Sequence, residues 1–252
     1  MLTVSDTAYL VATARADESD RPAPDRLFHD PYAAIFRAAG QHAAEATARM
    51  LALPLLRDAI RLRTCFIDDF VRDGLSAGVT QLVLFGAGFD ARGLRMPEIR
   101  AHGARVYEVD FAAQLQHKRA LLEAAGVPLP ANIAYATCDF MAPDFGPALA
   151  ASLDAVGFHR GAGALFVWEG VTGYIDDPAM ERSLSFMAGA GGSGTRVVFD
   201  YTEQRSAAAA ELTRRTGFTT FEEARFDVVW GRYEKAPPPP MFEMFRMGTA
   251  AV

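Results

Sequence analysis

Residues 84–93, LFGAGFDARG, carry an apolar run into a turn built on Gly86, Ala87 and Gly88. Glycines let the backbone bend sharply there and approach a ligand with no Cβ in the way. Asp110 closes the next apolar run, at about the ~20-residue spacing from the turn at which a carboxylate grips ribose hydroxyls; its other reading is a helix N-cap. Two further runs close on Asp139 and Glu169. Arg63 falls within the apolar stripe of a helical segment, where a guanidinium must snorkel to water, pair with a carboxylate or reach a bound anion. Gly86, Gly88 and Ala91 also satisfy the G-x-G-x-x-[G/A] dinucleotide fingerprint. The turn and Asp110 therefore indicate an adenosine-type cofactor without saying which.

The acids separate the two cofactors. Carboxylates at the C-terminal edges of successive strands, with Asp90 just inside the glycine turn, repel a pyrophosphate. S-adenosylmethionine carries no phosphate; its sulfonium and ammonium tolerate acids, and its carboxylate suits Arg63. The two lysines, Lys118 and Lys235, form no Tyr-x-x-x-Lys pair for hydride chemistry. S-adenosylmethionine is the expected cofactor. A nicotinamide-dependent oxidoreductase and a cofactor-binding homologue that does not methylate are the rivals.

The elements that must position these groups are legible as periodicity. Apolar, β-rich runs at 81–86, 104–110, 131–139, 163–170 and 195–202 alternate with helical stretches such as 112–126, the pattern of a parallel sheet covered on both faces. A helix and a Gly217-Phe218 turn come next. Strands are then expected over 226–233 and 241–250, joined by the proline run 237–240 and giving the sheet an antiparallel end. The first 80 residues read as a helical preface. In it Asp30 caps a helix with Pro31 as its first residue. The clearest helix, 55–75, places Leu56, Ile60, Ile67, Phe70, Val71 and Gly74 on one face, with Arg57, Arg61 and Asp68 opposite.

The 252 residues hold 25 Lys+Arg against 31 Asp+Glu, a net charge of −6, which lacks the basic footprint of a nucleic-acid binder. No apolar run approaches the ~20 residues of a membrane span. The N-terminal stretch shows no basic-then-apolar secretory pattern. Cys65 and Cys138, among apolar neighbours, fit a reducing compartment. A cytoplasmic protein without metal, nucleic-acid or membrane partners is expected.

HDPY (29–32), Arg63-Thr64, FGAGFDARGLRM (85–96), YEVDF (107–111) with Lys118, CDF (138–140), WEGVTGYI (168–175) and FDYTE (199–203) together resemble the leucine carboxyl methyltransferase family. That family includes the enzyme that methyl-esterifies a protein phosphatase's C-terminal leucine and bacterial O-methyltransferases of polyketides and other secondary metabolites. The resemblance implies an α/β, Rossmann-like class I methyltransferase fold: a doubly wound, mostly parallel seven-stranded sheet with an antiparallel last strand and an N-terminal helical cap. One domain, 1–252, is expected, with the cap at 1–78 and the core at 79–252. By the resemblance, Arg63, helped by Thr64, holds the cofactor carboxylate. Gly86, Ala87 and Gly88 pass under its methionine part, and Asp110 binds the ribose. Asp139 and Phe140 flank the adenine, and Glu169 sits near the methyl donor.

Two departures bear on the acceptor. Ala91 stands where the family has threonine. The stretch from Tyr201 to Gly217 is on the order of thirty residues shorter than in phosphatase-modifying members, and such loops carry specificity. A small metabolite is therefore the expected acceptor, with a homodimer compatible as the assembly. A carboxylate acceptor needs no base, whereas a hydroxyl does. His29 is the histidine expected to face the crevice, either as base or in helix capping. Tyr174 and Tyr201 either orient the acceptor oxygen or pack beneath the helical preface.

Overall fold

The computed structural model describes residues 6–53 and 55–252; the first five residues of the stretch read for a secretory pattern lie outside them. Strands β1 (Gln81–Phe85), β2 (Arg105–Asp110), β3 (Ile133–Thr137), β4 (Leu165–Trp168) and β5 (Arg196–Thr202) fall on the five expected runs. With β6 (Thr220–Arg225) and β7 (Phe245–Ala251) they form one sheet in the order β3-β2-β1-β4-β5-β7-β6. The first five strands are parallel, and β7 runs antiparallel to both β5 and β6. Every residue of β1 and of β4 is buried, as expected where helices cover both faces.

The helices are α1 (Asp6–Ser19), α2 (Ala33–Ala39), α3 (Ala44–Leu51), α4 (Leu56–Ser76), α5 (Arg92–Arg95), α6 (Pro97–Ala101), α7 (Ala112–Ala124), α8 (Phe145–Ala155), α9 (Asp177–Gly191), α10 (Ser206–Arg215) and α11 (Phe226–Tyr233). Helix α4 lies directly on the sheet: a Cβ at Gly74 would stand 2.3 Å from a Leu165 methyl. Its opposite face is buried as well. Arg61 pairs with Glu18 of α1 at 2.6 Å, and Asp68 meets Arg92 and Arg95. Only Arg57, of the three residues read as its far face, is exposed.

Two expected elements change. Residues 226–233 form α11, not a strand: Phe226, Val229 and Trp230 are buried while Val228 is 55% exposed, the i, i+3, i+4 signature of a helix. The β-rich composition hid that period. The penultimate strand is instead TFEEAR at 220–225, an edge whose exposed charges discourage further pairing. Asp30 does accept the Tyr32 and Ala33 amides, both at 3.1 Å, but α2 starts at Ala33, two residues beyond Pro31.

Candidate cofactor and acceptor site

The strand order reverses between β1 and β4, and in open α/β sheets ligands bind at that reversal, beyond the strands' carboxyl ends. A cavity of about 440 Å³ opens there, within the ~300–1,000 Å³ of small-molecule sites. Its floor is the glycine turn after β1. Gly86 and Ala87 both donate to Val109 O, and Gly86 (φ +84°) and Gly88 (φ +46°) take left-handed conformations. A Cβ on Gly86 would lie 2.5 Å from Val171 Cγ2. Thr7, Ala8, Leu10 and Val11 of α1 wall the cavity from the N-terminal side.

Acids stand at the ends of adjacent strands: Asp139 after β3, Asp110 on β2, Asp90 after β1, Glu169 after β4 and Asp200 on β5. The guanidinium facing them is not alone, contrary to the expectation from sequence. Arg63 Nε donates to Glu169 Oε1 at 3.0 Å and Nη1 to Asp200 Oδ2 at 2.7 Å. Arg92, wholly buried, binds Glu169 Oε2 at 2.7 Å, Asp68 Oδ1 at 2.8 Å and Asp90. Burial alone would raise the Glu169 pKa; Arg63 and Arg92 outweigh it and hold the carboxyl well below its ordinary value. Carboxylate repulsion alone is thus a weaker argument against a diphosphate than the sequence suggests. A better one is local. A diphosphate would seek the first amides of the helix after the glycine turn, yet Asp90 Oδ1 accepts the Arg92 amide there at 2.8 Å, and α5 is four residues long.

Asp110 lines the cavity, with Oδ2 accepting the Gly88 amide and Oδ1 the Phe111 amide, each at 2.7 Å. Burial raises its pKa, and the two amides partly oppose that shift. Phe140 packs on Phe85 with ring centroids 4.4 Å apart and reaches the cavity with Met141. Two donors beside the cavity have no partner among the described residues: Arg63 Nη2 and Gln114 Nε2. These orphaned groups match a ligand with a carboxylate and hydroxyls, and leaving them unsatisfied is costly.

Several expected residues are placed elsewhere. Thr64, wholly buried, donates its hydroxyl to Ile60 O at 2.9 Å and does not line the cavity; helical i−4 bonding has taken it. Asp139 is exposed, accepts the Met141 amide at 3.0 Å and is also absent from the wall. His29 borders a separate cavity of about 190 Å³ with Cys65, Asp68 and Tyr233, because its neighbour Asp30 turns inward to Arg15 and Arg95. Among the described residues no histidine lines either the first cavity or the one beside it. Burial pushes the Cys65 and Cys138 thiols up to about 12, so both stay protonated.

The neighbouring cavity, of about 300 Å³, shares Arg63, Gly170 and Tyr174 with the first. Tyr174, 68% exposed, stands at both; Tyr201 lines only the second. Sequence reasoning missed Arg92, Gln114 and Asp200. Arg92 and Asp200 lie inside the quoted motifs, and Gln114 follows Asp110 by one helical turn, so spacing offered a signal for each.

The strand order, the antiparallel β7 and the cavity at the reversal define a Rossmann-like methyltransferase fold. The family model described as leucine carboxyl methyltransferase matches residues 8–188, and the chain belongs to that family. It is similar to a Streptomyces coelicolor protein provisionally named an S-adenosyl-L-methionine-dependent methyltransferase, 34% identical over 204 residues, 76% of this chain and 66% of the relative. A Mycolicibacterium gilvum protein of the same provisional name is 30% identical over 229 residues, 84% of this chain and 71% of the relative. The chain spans just under two thirds of the length of the Streptomyces coelicolor relative. Among solved structures, a Thermobifida fusca protein provisionally named a methyltransferase superposes with a TM-score of 0.61 at 18% identity, over 97% of this chain and 93% of that one. A Streptomyces avermitilis protein of the DUF574 family gives 0.60 at 14% identity, over 97% and 96%.

Proposed function

We propose that this chain is an S-adenosyl-L-methionine-dependent O-methyltransferase acting on a small, natural-product-like metabolite in the cytoplasm. The observation that carries the reading is the pair of orphaned donors, Arg63 Nη2 and Gln114 Nε2, flanking one cavity together with Asp110. Arg63 would hold the methionine carboxylate, the Gly86–Gly88 turn would pass beneath it, and Asp110 with Gln114 would take the ribose hydroxyls. Phe140 and Met141 would frame the adenine, since Asp139 is not at the wall. When bound, the cofactor supplies a methyl group already activated on a sulfonium.

The chain's own residues then need to orient and desolvate. Glu169, kept ionised by its arginines, would face the cationic end of the donor. The acceptor would enter the second cavity, sharing the wall formed by Arg63 and Tyr174. No helix among the described residues is long and apolar enough to cross a membrane.

Calorimetry with S-adenosylhomocysteine and, separately, NAD tests the reading. Binding of the thioether alone is expected, weakened about tenfold or more by Arg63→Ala, which removes a charge-assisted contact. Binding of NAD without S-adenosylhomocysteine would return the dinucleotide reading. Failure to pass labelled methyl groups to any acceptor in a broad panel would favour a non-methylating homologue.

A further inference from the structure

We propose that the second cavity takes an uncharged aromatic acceptor bearing a hydroxyl, and that Asp200 receives the hydroxyl proton during transfer. This rests on the methyltransferase reading and names its acceptor class.

Beside three arginines, two threonines and Asp200, the cavity's walls carry the apolar and aromatic side chains of Ile60, Tyr201, Phe226 and Phe245, and the Phe226 and Phe245 rings lie 5.7 Å apart. Flat apolar surface of this kind suits an aromatic ring. Three arginines also line it, which at first sight invites a carboxylate. Each already has carboxylate partners. Arg246 binds Glu223 at 3.2 Å and Glu203 at 3.3 Å. Arg205 binds Asp177 and the carbonyls of Thr172 and Ile175. Arg63 binds Glu169 and Asp200, and the donor it has left over, Nη2, is the one matched to the cofactor. An anionic acceptor would have to break one of these pairs, or enter beside their carboxylates without a free cation. Either route costs free energy in a partly dry site.

A neutral hydroxyl needs a proton acceptor. Among the described residues Asp200 is the one carboxylate lining this cavity and no histidine lines it, and Tyr201 is itself a donor, to Glu223 at 2.7 Å. Asp200 accepts the Gly170 amide on Oδ1 at 2.6 Å and Arg63 on Oδ2 at 2.7 Å, which leaves a lone pair on each oxygen. The acceptor oxygen gains the methyl as the donor's S–CH₃ bond breaks. That bond's electron pair stays on sulfur, and the hydroxyl proton passes to Asp200.

The test uses the full chain saturated with S-adenosylhomocysteine, whose own binding is titrated first; its failure there overturns the methyltransferase reading itself. 2-Naphthol and 2-naphthoate are then titrated. The naphthol is expected to bind about tenfold or more tightly than the naphthoate. Glu223→Gln, which removes one of the two carboxylates that neutralise Arg246, is expected to narrow the gap by strengthening naphthoate. Naphthoate binding as tight as naphthol, or binding of neither, overturns the acceptor class. Asp200→Asn is expected to lower kcat for 2-naphthol about a hundredfold while 2-naphthol binding to the S-adenosylhomocysteine-saturated chain stays within about twofold of wild type. A loss of 2-naphthol or S-adenosylhomocysteine affinity as large as the loss of rate would make Asp200 a mere brace for Arg63 and overturn its role as proton acceptor.

Discussion

The Gly88 amide donates to Asp110 Oδ2 across 2.7 Å, so the acid expected to hold a ribose also holds the turn proposed to pass under the cofactor. Ligand site and loop are one device. Asp110→Ala removes both functions, and we expect S-adenosylhomocysteine affinity to fall by more than about tenfold, the cost of a charge-assisted bond. Asp110→Asn keeps one accepting oxygen and should fall between. Calorimetry on the two variants checks the order, and affinity equal to wild type in Asp110→Ala would remove the residue from the site.

Glu169 ties two arginines from different helices, Arg63 on α4 and Arg92 on α5. Its pKa in the folded chain lies below the unfolded value. Its contribution to stability is therefore fully present above the ordinary glutamate range, and is lost as pH falls through that range toward the folded value. Glu169→Gln leaves buried guanidinium charge undercompensated, and breaking such a pair costs about 3–5 kcal/mol. For a chain of this size Tm should drop on the order of 10 °C at neutral pH. The gap to wild type should shrink on acidification, a trend that thermal melts between neutral and acidic pH would read directly.

How much of this was legible in sequence depended on whether one strand or several contribute. The glycine turn and Asp110 sit on one β-α-β unit, the turn after β1 and the acid at the end of β2, so spacing singled out both. Arg63 was conspicuous because a charge in an apolar stripe demands a reason. Arg92 was less conspicuous: Asp90 is two residues away, but its other carboxylate partners, Asp68 and Glu169, are distant in the chain until the sheet forms. Thr64 and His29 lie away from the first cavity for the converse reason. Thr64 follows Arg63 on a helix whose next position faces another way, and His29 precedes Asp30, which turns inward to Arg15 and Arg95. Residues 226–233 were misread because Val, Trp and Tyr favour strands in composition, while their spacing favours a helix.

His29 sits in a cavity apart from the cofactor and acceptor cavities. His29→Ala should leave methyl transfer and S-adenosylhomocysteine affinity unchanged. Steady-state rates with any accepted substrate decide it, and a hundredfold fall of the kind a lost general base produces would reinstate the histidine as base.

Tyr174 projects between the two cavities with most of its surface in solvent. Little packing is lost in Tyr174→Ala, so stability should change by less than about 0.5 kcal/mol. The acceptor KM should rise severalfold while cofactor affinity holds. A rise in the cofactor dissociation constant instead would place the ring against the cofactor.

Gly86 joins two constraints that act independently. Its φ of +84° costs an L-residue roughly 1–2 kcal/mol. A Cβ there would also stand 2.5 Å from Val171 Cγ2, too close for any contact, so the segment after β4 must retreat. That segment carries Gly170 and borders Glu169, which means the displacement reaches both cavities. Gly86→Ala should therefore lower Tm by several degrees, at roughly 2–4 °C per kcal/mol for a chain of this size. It should weaken S-adenosylhomocysteine by more than the stability loss alone accounts for. Differential scanning calorimetry paired with titration separates the two effects. A variant that melts early yet binds as wild type would show that Val171 yields without moving Glu169.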